Sequence, residues 1–87
     1  MEIKRSATAG TMESSDVYVE IEPGEGTLEI TLESVVKQQF GDAICAAAMD
    51  VLKEQQVTSA KVHIVDRGAL ECVLRARVET AAKRGGE

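Results

Sequence analysis

Aromatic residues are nearly absent from this chain. Of its 87 residues only Tyr18 and Phe40 are aromatic, and there is no tryptophan. A domain of this size buries roughly 60% of the surface that its unfolded chain exposes. Its core must therefore be built from Val, Ile, Leu and Ala. The shortage also removes the flat side chains on which single-stranded nucleic acids stack.

Positive charge is scarce as well. The chain has 10 Lys and Arg against 15 Asp and Glu, a net charge of −5. Nucleic-acid-binding proteins need a basic stripe that neutralises phosphates, and anionic membranes attract basic segments, so we expect neither partner. No segment approaches membrane-spanning length, and the first residues lack an apolar run of signal-peptide length. We therefore expect a cytoplasmic protein.

Cysteine and histidine are too few to indicate a metal centre or a catalytic cluster. Cys45 and Cys72 lie far apart without Cys-x-x-Cys spacing, which favours buried, reduced thiols over a disulfide or a metal pair. His63 is the only histidine. No nucleophile or orienting partner is visible for it, so we interpret it as a solvated side chain. The acidic residues lack calcium-loop spacing, which favours a solvated face.

Three segments alternate between apolar and polar residues, as strands with one dry face do. They are residues 16–22, 27–33 and 60–65. Residues 23–26, Pro-Gly-Glu-Gly, supply turn conformations, so the first two strands are predicted to form a hairpin. A short strand within residues 5–11 is only weakly indicated.

Two predicted helices would cover the dry face of the sheet. Residues 34–56, with Ser34 as N-cap, carry an apolar stripe that includes Phe40; Gly41 and Asp42 interrupt it, where the helix could kink or restart. Residues 69–83 form the second helix. The predicted fold is α+β, a two-layer sandwich of order β-β-α-β-α with both helices packed on one face of a small mixed sheet. We expect residues 1–87 to form a single domain and residues 84–87 to fray.

The second predicted helix carries two sets of charged residues. Glu71, Arg75, Glu79 and Lys83 stand four apart with alternating sign, which indicates a surface ladder of ion pairs. Arg77 and Arg84 lie on another line. Solvated side chains are the simpler interpretation of these two arginines, and contact with a partner or an anionic group is the alternative.

Ser14 is the candidate functional residue. It stands in residues 9–16, a stretch of small and acidic residues before the first convincing strand. Composition alone favours ordinary turn residues at Ser14 and Ser15. Residues 6–15 are small and polar and lack apolar anchors, so we expect residues 1–15 to form a flexible segment in which another enzyme could reach a hydroxyl. No neighbour in sequence could activate that hydroxyl, which favours a modified residue over a nucleophile.

Four blocks of the sequence together resemble the acyl carrier protein of citrate lyase, its gamma subunit. They are Ala9-Gly10-Thr11-x-Glu13-Ser14-x-Asp16, Lys37-Gln38-x-Phe40-Gly41-Asp42-Ala43-Ile44, Asp50-Val51-Leu52, and Asp66-x-Gly68-Ala69-Leu70-x-Cys72-x-Leu74-Arg75-Ala76-Arg77. The resemblance covers nearly the entire chain, in order and at consistent spacing. Ser15 stands where glycine is common in that family. Malonate decarboxylase has a related carrier, which is one alternative, and a small non-catalytic adaptor or interaction module is another.

The resemblance implies a specific role for Ser14. It would bear a phosphoribosyl-dephospho-coenzyme A arm through a phosphodiester, with an acetyl group on the terminal thiol. The transferase (alpha) subunit would exchange acetyl for citryl, and the lyase (beta) subunit would release oxaloacetate from the citryl-carrier. A prosthetic-group transferase and an acetylating ligase are the other implied partners. The chain itself would hold the arm and contribute no catalytic group.

Overall fold

The computed structural model describes residues 1–87 and confirms the predicted α+β sandwich, with one additional strand at the start. The elements are β1 (Ala7–Gly10), β2 (Val17–Pro23), β3 (Leu28–Ser34), α1 (Lys37–Glu54), β4 (Ala60–Asp66) and α2 (Glu71–Gly85). β1 is the strand that the sequence indicates only weakly. Neither helix combines the length and the hydropathy needed to cross a membrane.

The four strands form one mixed sheet in the order β1-β2-β4-β3. β4 runs antiparallel to β2 on one side and parallel to β3 on the other. The predicted hairpin between β2 and β3 is therefore wrong, because β4 lies between them. Alternation shows which face of a strand is dry but not which strand lies beside it. Here the crossover through α1 returns the chain next to β3, and β2 pairs with the free edge of β4.

The connection from β2 to β3 passes over the start of β4. It must span two strand spacings, about 9.6 Å, which residues 24–27 can do. The Ala60 N–H donates to the Thr27 carbonyl oxygen at 3.1 Å, and the Gly26 N–H donates to Ser59 Oγ at 2.9 Å. A Cβ on Gly24 would lie 2.5 Å from the Ala60 nitrogen. Glycine is therefore needed at position 24 for the close approach of two backbones, and not for a hairpin turn.

The core is aliphatic, as the composition requires. Paired residues such as Val19 with Ile64 and Ile21 with Val62 face the helices from adjacent strands. They pack against buried residues of the two helices, which are Ala47, Ala48, Val51, Leu52, Leu74, Val78, Ala81 and Ala82.

Two predictions about α1, its N-cap and the position of Phe40, are wrong, and the open question of a break at Gly41 is settled. Val36, and not Ser34, is the N-cap residue, and the helix continues through Gly41 without a break. Phe40 is 53% exposed instead of lying in the core. The reason is positional: only two residues separate Ser34, at the end of β3, from α1. α1 therefore starts beside the end of β3, and its first buried residue is Ala47.

Both ends of the chain pack more closely than the sequence indicates. Ile3 is only 4% exposed, and the N–H groups of Lys4 and Arg5 donate to the Gly85 carbonyl oxygen at 2.8 and 3.2 Å. The tail predicted to fray, residues 84–87, overlaps the end of α2, because the helix continues to Gly85 and Gly85 is buried. Of the segment expected to be flexible, residues 7–10 belong to the sheet. Flexibility stays a prediction for the loop that follows.

The cysteines are free, as expected, but neither is fully buried. Cys45 is half-buried in α1 and Cys72 is exposed near the start of α2. The prediction of two buried thiols is therefore wrong in its burial. Cys72 lies in the first turn of α2 and is not among its buried residues, the first of which is Leu74.

Candidate functional site

Ser14 lies in the loop between β1 and β2, residues 11–16, called here the serine loop. The loop lies at the end of the sheet where β3 and β4 finish and both helices begin. It leaves β1 at Gly10, where φ is +87°. A Cβ at this position would overlap the Val17 carbonyl oxygen. Glycine at position 10 therefore allows a narrow base for the loop.

Asp16 is the residue on which the loop's hydrogen bonds converge. The Thr11 hydroxyl donates to Oδ2 and the Val17 N–H to Oδ1, both at 2.7 Å. Arg77 donates from Nε to Oδ1 and from Nη2 to Oδ2, both at 3.2 Å. These donors favour the charged carboxylate: Thr11 first, then Val17, with Arg77 adding to them against the effect of burial. Together they lower the pKa of Asp16 to about 2.

A second anchor joins the serine loop to the turn between β4 and α2. The Ser15 N–H donates to the Arg67 carbonyl oxygen at 2.8 Å, and the Arg67 N–H donates to the Asp16 carbonyl oxygen at 3.0 Å. Ser15 adopts a positive φ of 65°, a left-handed conformation that glycine takes with least cost. Glycine would therefore be conformationally favoured at position 15.

The turn itself is organised by Asp66, which is buried. Its Oδ1 accepts from the Ala69 N–H at 3.0 Å, and its Oδ2 accepts from the Ser34 hydroxyl at 2.8 Å. Ser34 Oγ in turn accepts from the Val36 N–H at 3.1 Å. One carboxylate thus shapes both the turn that holds the serine loop and the entry into α1.

Ser14 lies between these anchors and is exposed. The polar contacts within the loop are made by its neighbours, which are Thr11, Glu13, Ser15 and Asp16. No histidine or carboxylate is bonded to the Ser14 hydroxyl. The arrangement can present this hydroxyl to another protein, but it supplies no base that would activate the oxygen as a nucleophile.

The other polar residues considered from the sequence lie away from Ser14. His63 is half-buried on the helix-free face of the sheet, with Nε2 3.2 Å from Glu33 Oε2. Arg84 donates from Nη1 to the Thr8 carbonyl oxygen at 2.8 Å. No group of three or more His, Cys, Asp or Glu side chains converges in a way that could hold a metal ion.

The predicted ladder of ion pairs on α2 forms in part. Arg75 pairs with Glu71 at 3.1 Å and Lys83 with Glu79 at 3.7 Å. Arg75 also reaches Asp50 of α1 at 3.3 Å, so the ladder links the two helices as well. These pairs are remote from the serine loop in sequence and make no contact with it.

Sequence reasoning missed the residues that hold the loop. From the sequence, Asp16 is only the polar first residue of a predicted strand, and Arg77 has no assigned contact. Nothing local signals their pairing, because 61 residues separate them. The only signal in the sequence is the cluster of small and polar residues at 9–16, which indicates a loop but not its partner.

A family model described as the malonate decarboxylase delta subunit (MdcD), an acyl carrier protein, matches residues 4–85. The citrate lyase acyl carrier protein of Escherichia fergusonii is 54% identical over 88 residues, covering 100% of this chain and 91% of the relative. That of Oenococcus oeni is 50% identical over 84 residues, covering 97% and 87%.

Among solved structures, similarity is found with a chain in the crystal structure of a Pseudomonas malonate decarboxylase hetero-tetramer in complex with malonate. The TM-score is 0.83 at 25% sequence identity, and the match covers 97% of this chain and 87% of that chain. The fold, the family model and the full-length relatives all agree. The chain belongs to the family of acyl carrier proteins that includes the citrate lyase carriers and the malonate decarboxylase delta subunit.

Proposed function

We propose that this protein is the acyl carrier subunit of a citrate lyase and that Ser14 is its point of covalent attachment. The attached group would be phosphoribosyl-dephospho-coenzyme A, joined through a phosphodiester to the Ser14 oxygen. The observation that carries the proposal is the exposed Ser14 hydroxyl in a loop whose two ends are fixed. An anchor of this kind is open to a modifying enzyme while its position on the fold stays defined.

The reactive groups would belong to the arm and to the partner subunits, and not to the carrier chain. Its thiol would carry acetyl and citryl groups between the transferase (alpha) and lyase (beta) subunits while citrate is cleaved to oxaloacetate and acetate. Tethering the thioester raises its local concentration at each active site, to about the millimolar range for a short flexible link. The carrier then needs no catalytic residue, and a prosthetic-group transferase and an acetylating ligase would load it. Cytoplasmic location stays a prediction.

Ser14 is favoured over Ser15 by the geometry of the loop. The Ser15 N–H donates to the Arg67 carbonyl oxygen, and the Ser15 backbone has a positive φ, so the conformation of Ser15 is constrained. Ser14 has neither this hydrogen bond nor a positive φ. Two of the four blocks that carry the family resemblance, residues 9–16 and 66–77, also meet at this loop. These observations support Ser14 as the modified residue.

Reconstitution tests the proposal. The carrier, produced together with its loading enzymes, is mixed with the transferase and lyase subunits, and oxaloacetate release from citrate is followed. We expect Ser14→Ala to abolish turnover and the matched control Ser15→Ala to retain it. Full turnover with Ser14→Ala, or equal loss in both variants, would contradict the assignment.

A carrier subunit of malonate decarboxylase is the second candidate. The family model and the Pseudomonas structure favour it. Citrate lyase stands ahead because citrate lyase carriers are about 50% identical to this chain, against 25% for the decarboxylase subunit. The same reconstitution with malonate decarboxylase subunits and malonate separates the two, since a carrier docks productively only with its own partners.

A further inference from the structure

Large apolar side chains are exposed mainly at the Ser14 end of the molecule. Five such residues are exposed in the whole chain: Met1 (42%), Met12 (50%), Val35 (68%), Phe40 (53%) and Leu70 (70%). All except Met1 lie in the serine loop, in the turn before α1, in the first turn of α1 or in the turn before α2. Those four segments adjoin the same ends of β2, β3 and β4.

A groove of about 320 Å³ opens beside Phe40 at this end of the fold. One wall is the start of α1 and the other is the turn leading into α2. Seven of its ten lining residues are hydrophobic, among them Val36, Ile44 and Leu74. Small residues on both walls, Ala43 and Ala69, leave the space unfilled by the chain itself.

The groove and the serine loop share a structural element. The turn that lines the groove with Gly68 and Ala69 is the one whose Arg67 exchanges two backbone hydrogen bonds with the loop, at 2.8 and 3.0 Å. A partner that covers the groove would therefore contact a turn that is hydrogen-bonded to the serine loop. Clustered apolar exposure of this kind marks interaction sites on otherwise polar proteins.

We propose that this end of the molecule, defined by Met12, Val35, Phe40 and Leu70 and called here the apolar end, is the docking surface for the subunit that receives the arm. The inference rests on the proposed function. The partner would have a surface with an apolar centre and would insert a bulky side chain into the groove. The carrier's charge of −5 favours a net positive surround on that partner, which speeds encounter.

Two other occupants fit the geometry less well. A second copy on the apolar end would cover the serine loop and obstruct the arm. The arm itself has to leave the surface to enter a partner's active site, whereas a partner docked here would have the entrance of its active site next to Ser14.

An interface of ordinary size takes about 800 Å² from each partner, a modest part of this chain's 5102 Å² surface.

The test is calorimetric titration of the loaded carrier into each separately purified subunit, transferase and lyase. Phe40→Ser and Leu70→Ser remove the apolar contacts, and both sites are already exposed, so the fold should persist. Lys53→Ser, an exposed site in the last turn of α1, is the matched control. We expect at least tenfold weaker binding to one or both subunits for the two apolar variants, and less than twofold change for the control.

Equal affinities for the two apolar variants and the control would overturn the proposal. It would also be overturned if Ser14→Ala, which cannot carry an arm, lost binding while Phe40→Ser kept it, because the arm alone would then be recognised. A concentration-dependent dimer that Phe40→Ser abolishes would assign the surface to a second copy. Intact mass of the wild-type carrier and of the two apolar variants keeps the two proposals separate: absence of an adduct from these proteins counts against Ser14 attachment, whereas the titrations measure docking.

Discussion

The Arg77 guanidinium and the Asp16 carboxylate meet in a two-point ion pair, although the two residues lie 61 positions apart, with both N···O distances at 3.2 Å. The pair ties the base of the serine loop to the middle of α2. Asp16 is mostly shielded, with 15% of its side chain exposed, while Arg77 remains 41% exposed. The loop that presents Ser14 is thus positioned by the helix layer as well as by the sheet.

Removing either partner of this pair is expected to lower thermal stability. Asp16→Asn also weakens the acceptor for the Thr11 hydroxyl, so it should lower the melting temperature more than Arg77→Gln. The double variant should lose less than the two single variants combined, since the interaction can be lost only once. Thermal unfolding of all four proteins measures this coupling. Strict additivity would show that the ion pair contributes nothing.

Stability should fall in a defined acidic range because of Asp16. Its pKa is lowered in the folded protein from 3.8 to about 2, so the unfolded chain binds a proton more readily. The stability that this carboxylate contributes is present above its unfolded pKa of 3.8 and is lost as the pH falls through the folded pKa of about 2. Urea unfolding between pH 5 and 2 should show this loss, and Asp16→Asn should reduce the pH dependence. An identical slope in wild type and variant would contradict it.

Gly10→Ala should be among the more damaging single changes in the chain. The new methyl group would overlap the Val17 carbonyl oxygen at a residue whose φ is +87°. Strained backbone of this kind costs roughly 1–3 kcal/mol, and the overlap adds to it. Gly26→Ala is the matched control, with a φ of +102° and no atom within 4 Å of its Cβ. Chemical denaturation should show a clearly larger loss at position 10.

Ser15→Gly is expected to be neutral or stabilising. A left-handed conformation costs a non-glycine residue about 1–2 kcal/mol, and the added freedom of glycine in the unfolded chain offsets roughly 0.5–1 kcal/mol of the relief. A gain of up to about 1.5 kcal/mol in the free energy of unfolding should follow. Ser15→Val, with a branched side chain at the same φ, should destabilise instead. The reverse order would show that the backbone strain is absent.

The regular elements were predictable from the sequence because alternation is a local property. The inward residues of β2 and β4, such as Val19 and Ile64, follow directly from a period of two. Strand order did not follow, since β4 enters between β2 and β3 through a crossover that the alternation does not encode. Phe40 was misplaced for a related reason: its helical spacing matches the apolar stripe, but the buried part of that stripe begins only at Ala47.

The candidate site was also predictable only in part. The composition around Ser14 predicts an exposed, reachable hydroxyl, and Ser14 is exposed in the fold. The contacts that hold its loop, from Arg77 to Asp16 and from Arg67 to Ser15, join distant parts of the chain and have no local signature. The resemblance blocks contain Asp16 and Arg77 but do not say that they touch.

The most direct test of the central claim is mass spectrometry of the protein purified with its native loading enzymes. Intact mass shows whether an adduct is present, and fragmentation of the peptide that contains residues 11–16 locates it. We expect a phosphodiester-linked, thiol-bearing nucleotide group on Ser14, absent from Ser14→Ala and present on Ser15→Ala. An unmodified chain from an active complex, or an adduct that survives Ser14→Ala, would contradict it.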